Sequence, residues 1–208
     1  LLNGVKLIHL SGITPATGPG PAEASQLLAA KCAKRGIQLS FDGNYRELLW
    51  KSWDGNGPAI LKNILSHATI AFINERDIAL LLGTEPAPRK DAIARAFDTF
   101  PNLKIIAATQ RAQSSVSNQS LIGEYYTRDA FFTSRAHELE GVVDRIGGGD
   151  AFAAGVLHCL LNDADPQYTI EFAMAAGAIK HSIPGDFNLT NVQEVEDAMN
   201  ESGLDVRR

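Results

Sequence analysis

The chain has 208 residues, 45% of them hydrophobic and 21% charged, which predicts a soluble globular protein with a sizeable core. Its formal net charge is −5, with 19 Lys and Arg dispersed among 24 Asp and Glu, which argues against nucleic acid or a polybasic membrane patch and points to a small-molecule partner. No apolar run reaches the roughly 20 residues that cross a bilayer, and Cys32 and Cys159 sit in apolar helical patterns without zinc-ligand spacing, so a reduced, cytoplasmic protein is expected.

Residues 5–10 read as a buried strand ending at Ser11-Gly12, and the Gly/Pro-rich stretch 14–21 as a loop. Residues 22–35 form an Ala/Leu-rich helical pattern with Lys31, Lys34 and Arg35 near its end and Gly36 as its stop. A strand over 37–41 leads into Asp42-Gly43-Asn44-Tyr45-Arg46. A helix over 58–67, a strand over 69–73, a helix from Asn74 to Leu82, a helix over 90–100 and a strand over 104–109 follow. Strands alternating with helices imply a parallel sheet covered on both faces. The pattern then changes to short strands over 114–118, 121–127 and 131–135, which predict an antiparallel edge. Helices are expected over 150–162, 166–182 and 191–200. With no repeat or linker, residues 1–208 read as a single α/β domain.

Ligands of such sheets bind beyond the carboxyl ends of the strands. That rule groups Ser11-Gly12, Asp42 to Arg46, Asn74 to Asp77 and Thr109 along one edge. The densest motif lies further on, at Asp144-Arg145-Ile146-Gly147-Gly148-Gly149-Asp150, ahead of an apolar, Ala-rich helix. Glycines let backbone N–H groups turn inward, and a helix N-terminus carries about half a positive charge, so the turn suits phosphate. Asp150 then stands where a base takes the proton of an attacking hydroxyl. Alone, the same residues read equally well as a glycine turn capped by an aspartate.

These residues, with Asn74 and Asp77, the small-residue helix Ala173 to Ala178 and Pro184-Gly185-Asp186 in the same order, resemble the ribokinase-like, PfkB family of sugar kinases. Within it the chain is most similar to the 2-keto-3-deoxygluconate kinases, at residues 10–14, 41–50 and 179–188. The resemblance covers essentially the whole chain and implies a ribokinase-like α/β fold that phosphorylates a sugar acid with ATP and Mg²⁺. The family's first strands, Gly-Gly motif and lid have no counterpart after Leu1, so the chain is expected to be the C-terminal two-thirds of a kinase. It is expected to carry the nucleotide half, with a kinase of another ketose or sugar, of fructokinase or ribokinase type, or a non-catalytic nucleotide-binding fragment as the alternatives to a sugar-acid kinase.

The resemblance implies Asp150 as the catalytic base and Gly147, Gly148 and Gly149 as the anion hole. Asn74 and Asp77 match the family's Asn-x-x-Glu motif and would order Mg²⁺ through water, with Glu75 as an alternative acid. The residues also read as a helix cap, which is compatible. Asp144 would help hold a monovalent cation, K⁺, although Arg145 stands where many relatives have Thr. Arg46 is the candidate for the substrate carboxylate or phosphates, against a solvated surface arginine, and Asp186 for a sugar hydroxyl, against a simple turn residue. Thr109, Ala176 and Gly177 would wall the nucleotide. Gln110 and Arg111 either contact phosphates or lie exposed, and the histidines show no partners at ligand spacing. A homo-oligomer stays open, because the edge strands within 121–135 are able either to pair with a second copy or to be covered.

Overall fold

The computed structural model describes residues 2–113, 119–139 and 141–200. Two compact units emerge, one comprising Leu1–Ala108 with Tyr126–Ala130, the other Thr109–Tyr125 with Phe131–Arg208. The first contains β1 (Leu7–Ser11), α1 (Ile13–Ala16), α2 (Pro19–Arg35), β2 (Gln38–Asp42), α3 (Glu47–Lys51) and α4 (Gly57–Leu65). These are followed by β3 (Ile70–Phe72), α5 (Glu75–Leu82), α6 (Arg89–Thr99) and the start of β4 (Ile105–Gln113). Its strands lie in the order β1-β2-β3-β4, all parallel, with Ser40 opposite Ile70 and Ile70 opposite Ile105. Leu39, Ser40 and Phe41 are each fully buried. Successive side chains on a strand point to opposite faces, so this run is covered on both sides, as the strand–helix alternation predicts.

The helix boundaries follow local chemistry. Gly36 and Gly83 both take the left-handed conformation just past α2 and α5, where the helical pattern predicts a stop. The expected loop over 14–21 is instead partly helical: α1 occupies Ile13–Ala16 and α2 begins at Pro19. Proline breaks a helix interior, but in a first turn its missing N–H has no intrahelical partner to lose.

In the second unit, the end of β4 is followed by β5 (Gln119–Tyr126), β6 (Phe131–Thr133) and β7 (His137–Leu139). The expected strand over 114–118 lies outside the described residues. β7, which periodicity did not single out, pairs antiparallel with β5, Leu121 facing His137. Between β6 and β7, Ser134 donates its N–H to the Gly123 carbonyl at 2.9 Å and accepts the Gly123 N–H on its hydroxyl at 2.8 Å. Helices α7 (Gly148–Leu161), α8 (Pro166–Lys180) and α9 (Val192–Asn200) complete the unit. α7 and α8 approach closely at Gly155, where a Cβ would stand 2.7 Å from the Ala173 Cα.

Candidate functional site

In the first unit, the carboxyl ends of β1, β2 and β3 converge. The Gly12 N–H donates to the Asp42 carbonyl at 2.7 Å, and a Cβ on Gly12 would overlap the Gly43 carbonyl oxygen at 2.0 Å, so the two strand ends meet only because residue 12 is glycine. Beside them, Ser11 Oγ accepts from Ile13 N–H at 3.3 Å and Asn44 Nδ2 at 3.5 Å. Asn74 caps α5 by accepting the N–H groups of Arg76 and Asp77, at 2.8 and 3.1 Å. Asp77 Oδ2 in turn accepts the Asn74 N–H at 3.0 Å, completing a capping box. The Asp77 carboxyl carbon lies 3.5 Å from where a Gly43 Cβ would stand. Burial pushes its pKa up against the pull of the Asn74 N–H, and the neighbouring Glu75 charge adds to the rise. Glu75, the alternative acid, is paired with Arg89 at 2.8 Å.

Arg46 starts α3 with an exposed side chain that makes no ion pair among the described residues. Immediately before it, Tyr45 stacks on Trp50 with ring centroids 6.5 Å apart, and Trp50 packs on Trp53 at 5.5 Å. Trp53 donates its indole N–H to the Ala16 carbonyl at 2.8 Å. These tryptophans brace the segment that presents Arg46.

The glycine turn organises the second unit. Gly147 is left-handed, with φ 79°, and a Cβ there would stand 2.3 Å from the Asp186 carbonyl oxygen and 3.1 Å from Lys180 Cε. A Cβ on Gly148 would meet the His181 ring at 2.8 Å, whereas one on Gly149 would face open space. α7 therefore starts with its turn pressed against α8 on one side and open on the other. No side chain caps it, and among the described residues the N–H groups of Gly148, Gly149 and Asp150 have no acceptor. Asp150 sits in this first turn, exposed.

Asp144 clamps the turn from behind. Its Oδ1 accepts the Ile146 N–H at 2.9 Å and its Oδ2 the Gly185 N–H at 3.0 Å. Those two hydrogen bonds, aided by the Lys180 charge, hold its carboxyl below the usual range. The same clamp brings the Pro184-Gly185-Asp186 turn alongside Gly147 and leaves the Asp186 side chain exposed.

Basic groups surround this turn. His181 Nδ1 lies 2.8 Å from the Gly177 carbonyl. Its pKa is lowered by burial and then by Arg111, Arg145 and Lys180, against the upward effect of the Gly177 hydrogen bond. Arg111 is lowered by burial and by Arg145. Sequence reasoning assigned no role to Lys180 or His181. The available signal was a lysine closing an otherwise apolar, Ala-rich helix.

Thr109 is exposed on β4. The other two residues expected at the nucleotide wall are buried. Ala176 is buried in a cluster with Cys159, Phe172, Ala175 and Val195. Gly177 is packed so that a Cβ would stand 3.4 Å from both the Gly148 carbonyl oxygen and Phe152 Cβ. The small-residue pattern there allows close helix packing.

A family model described as pfkB family carbohydrate kinase matches residues 1–190. The chain belongs to the pfkB family of carbohydrate kinases. Among its pfkB relatives, the Arabidopsis thaliana protein named probable fructokinase-6, chloroplastic, is 33% identical over 194 residues, covering 89% of this chain and 47% of that protein. A pfkB family carbohydrate kinase structure from Listeria grayi matches with TM-score 0.87 at 30% identity, over 96% of this chain and 62% of its own. The 2-dehydro-3-deoxygluconokinase of Thermotoga maritima matches with TM-score 0.83 at 28% identity, over 96% of this chain and 61% of its own. The fold is thus ribokinase-like, a mostly parallel sheet with helices. The chain spans about half the length of the curated relatives it matches.

The residues of this pfkB chain fit a polyphosphate. An uncapped helix start with free N–H groups and basic neighbours is the donor set an anion needs. Among the described residues no three His, Cys, Asp or Glu form a metal-holding group. No helix among the described residues is long and apolar enough to cross a membrane.

Proposed function

We propose that the protein transfers the terminal phosphoryl group of ATP to a hydroxyl of a sugar acid, 2-keto-3-deoxygluconate, giving its 6-phosphate and ADP. The observation that carries this reading is the open, uncapped start of α7, surrounded by basic side chains, with the Asp150 carboxylate exposed in its first turn. Asp150 accepts the proton of the attacking hydroxyl. The hydroxyl oxygen bonds to the γ-phosphorus, and the bond from that phosphorus to the ADP oxygen breaks. The N–H groups at Gly147, Gly148 and Gly149 serve as anion hole for the charge on the transferring group, in place before the reaction and needing no rearrangement.

Asn74 and Asp77 would hold Mg²⁺ through water, a role open to the Asp77 oxygen that is not bonded to Asn74. When bound, that ion supplies neutralisation of the phosphate oxygens. Arg46 would pair the substrate carboxylate with its planar fork, and Asp186 would accept from a sugar hydroxyl. Thr109 would stand on the nucleotide side.

Support for an acidic substrate comes from the match to the Thermotoga maritima 2-dehydro-3-deoxygluconokinase and from the exposed Arg46. A ketose acceptor is the second reading, favoured by the 33% identity to the Arabidopsis protein named as a fructokinase. Coupled ADP-release assays over 2-keto-3-deoxygluconate, fructose and ribose separate the two. Asp150→Asn should lower kcat by about 10²–10⁴-fold, the usual worth of a positioned base, while ATP binding by calorimetry stays near wild type. An Asn variant with full turnover would remove Asp150 from the reaction. ADP release on fructose but not on the keto acid would replace the substrate.

A further inference from the structure

We propose that the Lys180 ammonium is a built-in cation of the phosphoryl-transfer site, taking the place of a bound monovalent metal ion, so that turnover is independent of K⁺. The inference rests on the kinase reading above but concerns a residue to which that reading assigns no role.

Lys180 is fully buried at the end of α8. An ammonium has three donors; here one is directed to the Ile183 carbonyl, at 2.8 Å. Among the described residues it forms no ion pair. A cation that merely complemented the end of a helix would do so while hydrated, without the cost of full burial. The location supplies the reason. Lys180 Cε is 3.1 Å from the position a Gly147 Cβ would occupy, so the side chain lies directly against the glycine turn that starts α7. Its charge is therefore held beside the glycine turn whose N–H groups are expected to meet the transferring phosphoryl group.

The residues around the turn do not suit K⁺. Both carboxylate oxygens of Asp144 accept backbone N–H groups, from Ile146 and Gly185, and the positive charge near that carboxylate is already provided by Lys180. A metal ion placed there would face an ammonium and a carboxylate engaged with protons. The Asp144 clamp and Lys180 thus act together: the acid holds the Pro-Gly turn against Gly147, and the lysine supplies the charge.

The test compares ADP release in KCl and in choline chloride at matched ionic strength, with thermal melts in both salts. Wild-type rates should match in the two salts, and its melt should respond to them equally. Lys180→Ala should lower kcat by about 100-fold, the scale of losing one preorganised group that meets developing charge. K⁺ or NH₄⁺, small enough to enter the vacated space, should recover part of that rate and raise the variant's melting temperature, whereas choline should do neither. A wild-type rate that collapses in choline, or a K⁺-specific rise in the wild-type melt, overturns the proposal. So does a folded Lys180→Ala that keeps full kcat, or one whose loss no small cation repairs, since that marks a structural role. Absence of ADP in both salts rejects the kinase reading instead, and the wild-type melts still decide the cation question by themselves.

Discussion

His137 shows how burial sets the behaviour of a single side chain. Among the described residues its buried Nε2 has no hydrogen-bond partner, and burial, aided by the nearby Arg135 charge, lowers its pKa from 6.5 to about 4. The unfolded chain therefore takes up this proton more readily than the folded one. The stability involved is present above pH 6.5 and is lost as pH falls toward 4. His137→Gln should flatten that slope in urea unfolding measured between pH 7 and 5. An unchanged slope would mean that His137 titrates as an exposed histidine. At this scale the sequence was most informative where chemistry is local. Asn74 and Asp77 are three positions apart and their capping box follows from that spacing, as does the place of Asp150 in the first turn after three glycines. Lys180 was not readable in the same way, because Gly147, the residue it packs against, is distant in sequence.

Helices α7 and α8 illustrate the balance at the level of elements. Replacing Gly155 by alanine gains roughly 1 kcal/mol of helix propensity. The added Cβ, however, would stand 2.7 Å from the Ala173 Cα, a backbone atom that moves only with its helix. Overpacking of this kind costs about 1–3 kcal/mol, so the clash should win and Gly155→Ala should lower the denaturant midpoint. A higher midpoint would show that α7 and α8 have room to separate. Gly36 and Gly83 were legible as helix stops because a left-handed residue after a helix is a local requirement. The prolines at 15, 19 and 21 were misleading for a related reason: they break helices in the middle but not in the first turn, and composition alone does not say where the first turn falls. The small residues Ala176 and Gly177 let α8 pack closely against α9 and α7.

Across the whole molecule, protection should follow how completely each element is covered. β3 is buried throughout and β2 at Leu39, Ser40 and Phe41, whereas α9 has Val195 as its buried residue. In native-state hydrogen exchange the amides of Leu39, Phe41 and Ala71 should be among the slowest and those of α9 much faster. Equal rates would indicate that α9 unfolds only with the rest of the chain. By itself the sequence determined the order and type of most elements, the parallel character of β1 to β4 and the candidate phosphate turn. Each of these depends on periodicity, capping or glycine content within a few residues. Tertiary structure decided the antiparallel pairing of β7 with β5, the clamp of Asp144 on Gly185, and the burial of Lys180 against Gly147. Those contacts join residues far apart in the chain, and only folding brings their charges and hydrogen-bonding groups within reach of one another.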